Sequence, residues 1–178
     1  MIHLARHGQT AYNAEGRFQG HLPVPLDDTG REQARALAER VAGVELRALV
    51  CSPLARARET ADIVAQRIGL APEEDARFAE TDTGDWTGRS FAEVEAEDPD
   101  GFRRFQVSDP TFRYPGGESF AEQSDRVQAG LRDLRAHAEK LPALVVCHRG
   151  VIRLALAAIT GDHTAGGRRI DNATLVTL

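Results

Sequence analysis

Three short apolar runs, IHLA at residues 2–5, ALVC at 48–51 and ALVVC at 143–147, are separated by longer segments of helical periodicity. Apolar runs of this length, bounded by turn signals, read as buried strands. Strands that alternate with helices favour a mostly parallel sheet covered on both faces. The pattern therefore predicts an α/β fold, a three-layer α/β/α sandwich with a mostly parallel central sheet. The last residues, ATLVTL, read as a closing strand at an edge, expected to run antiparallel. In open sheets of this kind ligands sit at the carboxyl ends of the strands. The residues just after the apolar runs are thus the first candidates for chemistry.

The helical segments carry their own start signals. Thr29 and Glu32 have capping-box spacing, and Ala34, Leu37, Ala38 and Val41 follow on one face before Gly43 ends the run. Ser52 and Pro53 suit the N-cap and first turn of a helix reaching about Gly69. After a short piece at Arg77 to Glu80 comes a less regular stretch, 81–117, which with Phe120 holds seven of the ten aromatic residues. Such a cluster reads equally as a cap over a binding site or as anchors for short helices. Ser119 and Glu122 form another capping box, with Phe120, Val127, Leu131 and Leu134 along one face of a helix ending near Leu141. The apolar helix VIRLALAAITG follows His148, Arg149 and Gly150. A chain of 178 residues, 42% apolar, is long enough for one core, so residues 1–178 are expected to form one domain with 81–117 as a cap-like insertion.

Composition removes several function classes. A formal charge of −5 and a pI near 5.7 give no electrostatic reason to expect nucleic acid or an anionic membrane as partner. A bound anion must instead be held locally, by a pocket. No apolar run reaches the ~18 residues of a membrane span, and MIHLARHG lacks the pattern of a secretion signal, so a soluble cytoplasmic protein is expected. Cys51 and Cys147 lack zinc-site spacing and each ends an apolar run, which reads as two buried free thiols. His3 and His7 share the spacing of paired zinc-binding histidines, but that pairing works on a helix. On a strand, four steps of ~3.3 Å place them ~13 Å apart, and Leu4 stands where the catalytic glutamate of such a motif would be. Neither a metal nor a cofactor is expected.

His7, Arg56, Glu80 and His148 are distant in sequence, yet each falls at or just after the carboxyl end of an expected strand. Together they form a set able to move a phosphoryl group. A neutral imidazole is nucleophilic near pH 7, and attack on phosphorus divides one difficult displacement into two easier ones. Guanidinium groups match phosphate geometry and stay charged, which suits Arg6 and Arg56 to the non-bridging oxygens. A carboxyl group can protonate the leaving oxygen and later deprotonate water. The helix N-terminus after His148 adds backbone donors. Each member alone is weak evidence, since all but one of the 22 basic residues are arginine.

The surrounding motifs resemble those of the histidine phosphatase superfamily, which includes cofactor-dependent phosphoglycerate mutases and many small-molecule phosphatases. The resemblance runs from the start to about residue 161. LARHGQTAYN resembles the family signature, which implies His7 as the phosphorylated nucleophile and Arg6 and Asn13 as phosphate-pocket residues. GRFQG, with DDTGREQA at residues 27–34 after it, resembles the next block and implies Gln19 and Gly20 at the substrate. SPLARARETA implies Arg56 as a phosphate ligand, ETDTGDWTG implies Glu80 as the acid/base, and VVCHRGVIR implies His148 as the second pocket histidine; YPGGES resembles a further block. The chain departs from the pattern at Pro23, Asp27, Thr83, Thr87 and Arg149. Arg149 either adds charge at the pocket rim for a second anionic group or points into solvent.

The resemblance implies a metal-independent phosphatase acting on a small phosphorylated metabolite through a phosphohistidine on His7. A phosphoglycerate mutase-type transfer is the alternative, and a binder of phosphorylated ligands without turnover is a further one. Mutases of this family are usually longer, with a tail over the site, and here four residues follow Thr174, so hydrolysis is the expectation. Arg103, Arg104 and Arg113 either meet a carboxylate or second phosphate or, as expected for most of them in so arginine-rich a chain, are solvated. A homodimer through an edge strand is left open.

Overall fold

The computed structural model describes residues 1–161 and 170–178. The chain begins with strand β1 (Ile2–Arg6), a single-turn helix α1 (Ala11–Ala14) and helix α2 (Asp28–Val41). Strand β2 (Ala48–Cys51), helix α3 (Ala55–Ile68) and the short strand β3 (Pro72–Glu74) follow. Helices α4 (Phe91–Glu97) and α5 (Pro99–Gln106) occupy the stretch expected to be irregular, and the long helix α6 (Phe120–Ala136) comes next. Strand β4 (Ala143–Cys147), helix α7 (Arg149–Thr160) and strand β5 (Leu175–Thr177) complete the order.

The strands form one sheet in the order β3-β2-β4-β1-β5, with only β5 antiparallel to its neighbour. Successive side chains on a strand point to opposite faces, and here they supply two separate cores. Leu4, Val50, Val145 and Cys147 pack with α6 and α7 on one face. Ala5, Leu49, Cys51, Leu144 and Val146 pack with α2 and α3 on the other. The result is the expected three-layer sandwich. A third apolar cluster lies apart from the sheet and gathers Phe18, Trp86, Val94, Phe102, Phe112, Tyr114 and Phe120. The aromatics of the 81–117 stretch thus anchor α4 and α5, and Phe18 from the GRFQG segment is the hub they meet.

Several boundaries differ from expectation, each for a local reason. Helix α2 is capped by Asp27, whose Oδ1 accepts from the Gly30 amide at 2.7 Å, and not by Thr29. Pro53 and Ser52 stand before α3, whose N-cap is Leu54, because the Ser52 hydroxyl turns back to accept from the Leu54 amide and to meet His148. Helix α6 stops at Ala136, short of Leu141, where a 3-10 turn at Ala138–Lys140 takes over. Strand β3, with sequence PEE, has no apolar pattern to announce it and exists through its register with Leu49, Val50 and Cys51. The segment SFAE occurs twice, at residues 90–93 and 119–122, and forms a capping box each time, Ser90 with Glu93 and Ser119 with Glu122.

Candidate active site

His7 follows β1, Ser52 follows β2 and His148 follows β4, so three neighbouring parallel strands deliver polar side chains to one end of the sheet. The His7 amide donates to Cys147 O at 3.0 Å, which extends the β1–β4 ladder by one residue and fixes the backbone there. The ring is equally fixed. Nδ1 of His7 lies 2.6 Å from Gly8 O, and a carbonyl can only accept, so Nδ1 carries the proton and Nε2 keeps its lone pair. Gly8 is required by the tight approach to α2, since a Cβ there would overlap the backbone of Gly30.

His148 is fully buried, and its ring centre lies 5.1 Å from that of His7. Its Nε2 meets Ser52 Oγ at 2.7 Å, while Nδ1 is buried with no hydrogen-bond partner. Arg56, 1% exposed, comes from the first turn of α3. Its Nη2 donates to Gly20 O at 2.9 Å and its Nη1 to Leu22 O at 3.3 Å, leaving Nε without a partner. Arg6 donates from Nη1 to Ile170 O at 2.6 Å, and its buried Nε is likewise unpartnered. Buried donors without acceptors are costly, roughly 1–3 kcal/mol each, so a cluster of them marks a place built for an absent acceptor.

Glu80 reaches the same cleft from the loop before residues 81–117. Its Oε1 accepts from the Thr81 amide at 3.0 Å and from Gln123 Nε2 at 3.2 Å, and its Oε2 accepts from the Gly150 amide at 3.4 Å. Thr81 Oγ1 in turn donates to Gln123 Oε1. The loop itself is clamped by Arg126, which donates to Ala79 O at 2.7 Å and to Glu80 O at 3.0 Å. Gly150 at the start of α7 leaves room for this carboxylate, because a Cβ there would overlap Oε1.

Burial sets the protonation states. His7 is held well below the ordinary histidine range by burial first, then by the charges of Arg56 and Arg6. His148 is shifted the same way by burial, Arg56 and His7. Both rings are therefore neutral near pH 7. Burial also lowers Arg6 and Arg56 to about 10, with Arg149 the next cause for Arg6, and both remain charged at neutral pH. The two cysteines are buried and free; burial pushes Cys51 up to about 11 and moves Cys147 in the same direction, which leaves both thiols inert.

The cleft has a volume of roughly 920 Å³ with its mouth included, and its wall carries Arg6, His7, Asn13, Gln19, Gly20, Arg56, Glu80 and Arg149. His148 alone of the expected set stands behind this wall. Asn13 and Gln19 are oriented by Thr10, whose hydroxyl donates to Gln19 Oε1 at 2.8 Å and whose amide donates to Asn13 Oδ1 at 3.1 Å. Arg103, Arg104 and Arg113 do not reach the cleft. They pair instead with Asp100 at 2.7 Å, Asp109 at 2.8 Å and Glu122 at 2.6 Å. His3 is a packed strand residue whose Nδ1 lies 2.9 Å from Thr177 Oγ1.

Other participants were not singled out by sequence reasoning. Arg153 and Arg17 line the cleft; Asn172 donates to His7 O at 3.1 Å, and Gln123 and Ser52 hold Glu80 and His148. Ser52 was legible in principle, since it follows β2 as His7 follows β1. Arg153 lies four residues after Arg149, on the same helical face. Asn172 offered no signal.

A family model described as the histidine phosphatase superfamily (branch 1) matches residues 2–178. The chain is 38% identical over 165 residues to a glucosyl-3-phosphoglycerate phosphatase from Mycolicibacterium vanbaalenii, covering 89% of this chain and 73% of that protein. It is 34% identical over 171 residues to a probable phosphoglycerate mutase from Salmonella choleraesuis, covering 96% and 79%. A solved mycobacterial glucosyl-3-phosphoglycerate phosphatase in complex with vanadate superposes with a TM-score of 0.88 at 31% identity, covering 98% of this chain and 88% of that one.

Proposed function

Since the chain belongs to the histidine phosphatase superfamily, we propose that it is a phosphatase that hydrolyses a small-molecule phosphate monoester through a phosphohistidine on His7, without a metal. The observation that carries this reading is the His7 ring itself. It is neutral, locked by Gly8 O with Nε2 free, and flanked by the unpartnered guanidinium nitrogens of Arg6 and Arg56.

In the first step Nε2 of His7 attacks phosphorus and the P–O bond to the alcohol breaks, with a proton on Glu80 passing to the leaving oxygen. In the second, water gives a proton to Glu80 and attacks phosphorus, the P–N bond breaks, and inorganic phosphate leaves. Arg6 and Arg56 take the non-bridging oxygens throughout, and His148 backs the His7 ring from behind the cleft wall, 5.1 Å away centre to centre. Charge that a divalent cation would neutralise elsewhere is met here by guanidinium groups. Residues 81–117 act as the cap of a single catalytic unit. The phosphatase names among the relatives support hydrolysis, and the mutase name keeps phosphoryl return to a second substrate as the alternative.

Hydrolysis of p-nitrophenyl phosphate with EDTA present tests the reading. Activity that survives chelation and is lost in His7→Ala is the expected result. No turnover by the wild type overturns the proposal, and faster phosphoryl exchange between monophosphoglycerates than phosphate release favours the mutase.

A further inference from the structure

Five arginines and one carboxylate, Glu80, line the cleft among the described residues. This imbalance stands out in a chain of net charge −5 whose other arginines mostly hold acids: Arg31, Arg58, Arg67, Arg77, Arg89 and Arg126 all make ion pairs. A phosphate dianion accounts for two cleft cations, Arg6 and Arg56. Arg17 is turned away to Gly88 O, which accepts from its Nε at 3.0 Å and its Nη2 at 2.6 Å. Arg149 and Arg153 remain.

These two sit at the first position and one turn along α7, on the face turned to the cleft. Like charges at this spacing repel, and neither residue has a carboxylate partner among the described residues. Arg153 is 7% exposed with a buried Nη2 that finds no acceptor, and Nε of Arg149 is buried and equally unpartnered. A solvated arginine pair would keep its nitrogens in water and bury its stem. Here one nitrogen of each is enclosed instead, and burial followed by the Arg149 charge lowers Arg153 to about 10, offset in part by Tyr114 and Glu80. A rise of 1.5 Å per residue puts Arg153 ~6 Å beyond Arg149 and hence farther from the phosphate end at His148.

We infer that Arg149 and Arg153 form a second anion subsite, which takes a carboxylate or phosphate carried by the same small molecule whose phosphate lies at His7. The inference rests on the cleft being the phosphate site proposed above. It names a substrate class, phosphate monoesters with a second anionic group a few bonds away, and it assigns Arg153 a role in choosing the substrate. Phe91, Phe105 and Leu154 also line the cleft, and this apolar wall favours a carbon linker.

Binding to the His7→Ala protein, which cannot form the phosphohistidine, tests this independently of turnover. Titration calorimetry would compare alkyl phosphates of two to five carbons with the same compounds carrying a terminal carboxylate or a second phosphate. At the best linker length, the doubly anionic ligand is expected to bind roughly tenfold to a hundredfold more tightly than its alkyl counterpart. That ratio should collapse toward one when Arg153→Met or Arg149→Met is added, and Arg153→Lys should retain part of it. Arg149→Met, on a half-buried residue, provides the measurement if Arg153→Met fails to fold. The carboxylate and bisphosphate arms show which anion the subsite prefers. No preference for a second anion at any length, or a preference that both methionine variants leave intact, would overturn the inference. Wild-type hydrolysis of p-nitrophenyl phosphate reports separately on the phosphatase reading.

Discussion

The chemistry proposed for this cleft depends on a few side chains whose freedom has been removed. Glu80 shows it best: three donors from Thr81, Gln123 and Gly150 hold its carboxylate, and Arg126 holds its backbone. Glu80→Gln keeps the shape and loses the proton, so kcat for alkyl phosphates should fall about 10²–10⁴-fold. For p-nitrophenyl phosphate, whose leaving group needs little protonation, the loss should be much smaller, and comparing the two substrates checks the assignment. Gly150→Ala should push the carboxylate out of place and reduce kcat at least tenfold with little change in melting temperature. The convergence of His7, Arg56, Glu80 and His148 was readable in the sequence because motif and topology coincide there. Arg153 looked like one more arginine on an apolar helix, because burial and the absence of an acid partner are tertiary facts. Arg103, Arg104 and Arg113 follow the solvated reading, since local acids claim them at the surface.

Element boundaries were decided by competition for hydrogen bonds. Asp27 caps α2 from two residues upstream of Thr29, and its other oxygen accepts from Gln9 Nε2 at 3.1 Å, tying the helix start to the loop after His7. Asp27→Ala should therefore cost about 1 kcal/mol in denaturant unfolding, while Thr29→Ala, at an exposed position, should stay within about 0.5 kcal/mol. Equal effects would restore the capping box that the sequence suggested. The long strands and helices were legible because their periodicity is strong, and both SFAE boxes formed because nothing nearby competes for Ser90 or Ser119. Strand β3 was not legible, since a charged edge segment is a strand only by virtue of the partner beside it.

The fold places two neutral histidines at the carboxyl end of the parallel strands β1 and β4. His7 and His148 are held far below the ordinary histidine value by burial, whereas in the unfolded chain they titrate near 6.5. Below that value the unfolded state binds protons that the folded state refuses, so stability falls as the pH drops, by up to about 1.4 kcal/mol per pH unit for each ring. Unfolding free energies at pH 7.5 and pH 5.5 should show this loss, and His7→Gln should reduce it. Both rings lie beside cations, so a bound anion should oppose the loss, and sulfate, a dianion at both pH values, should raise the melting temperature more at pH 5.5 than at pH 7.5. The central claim is that His7 carries the phosphoryl group in turnover. The most direct test is mass spectrometry of protein quenched in alkali during hydrolysis, since phosphohistidine survives base better than acid. One added phosphoryl group is expected on the peptide that contains His7, absent in His7→Ala; a phosphoryl group on another residue, or undiminished turnover in His7→Ala, would overturn the role of His7.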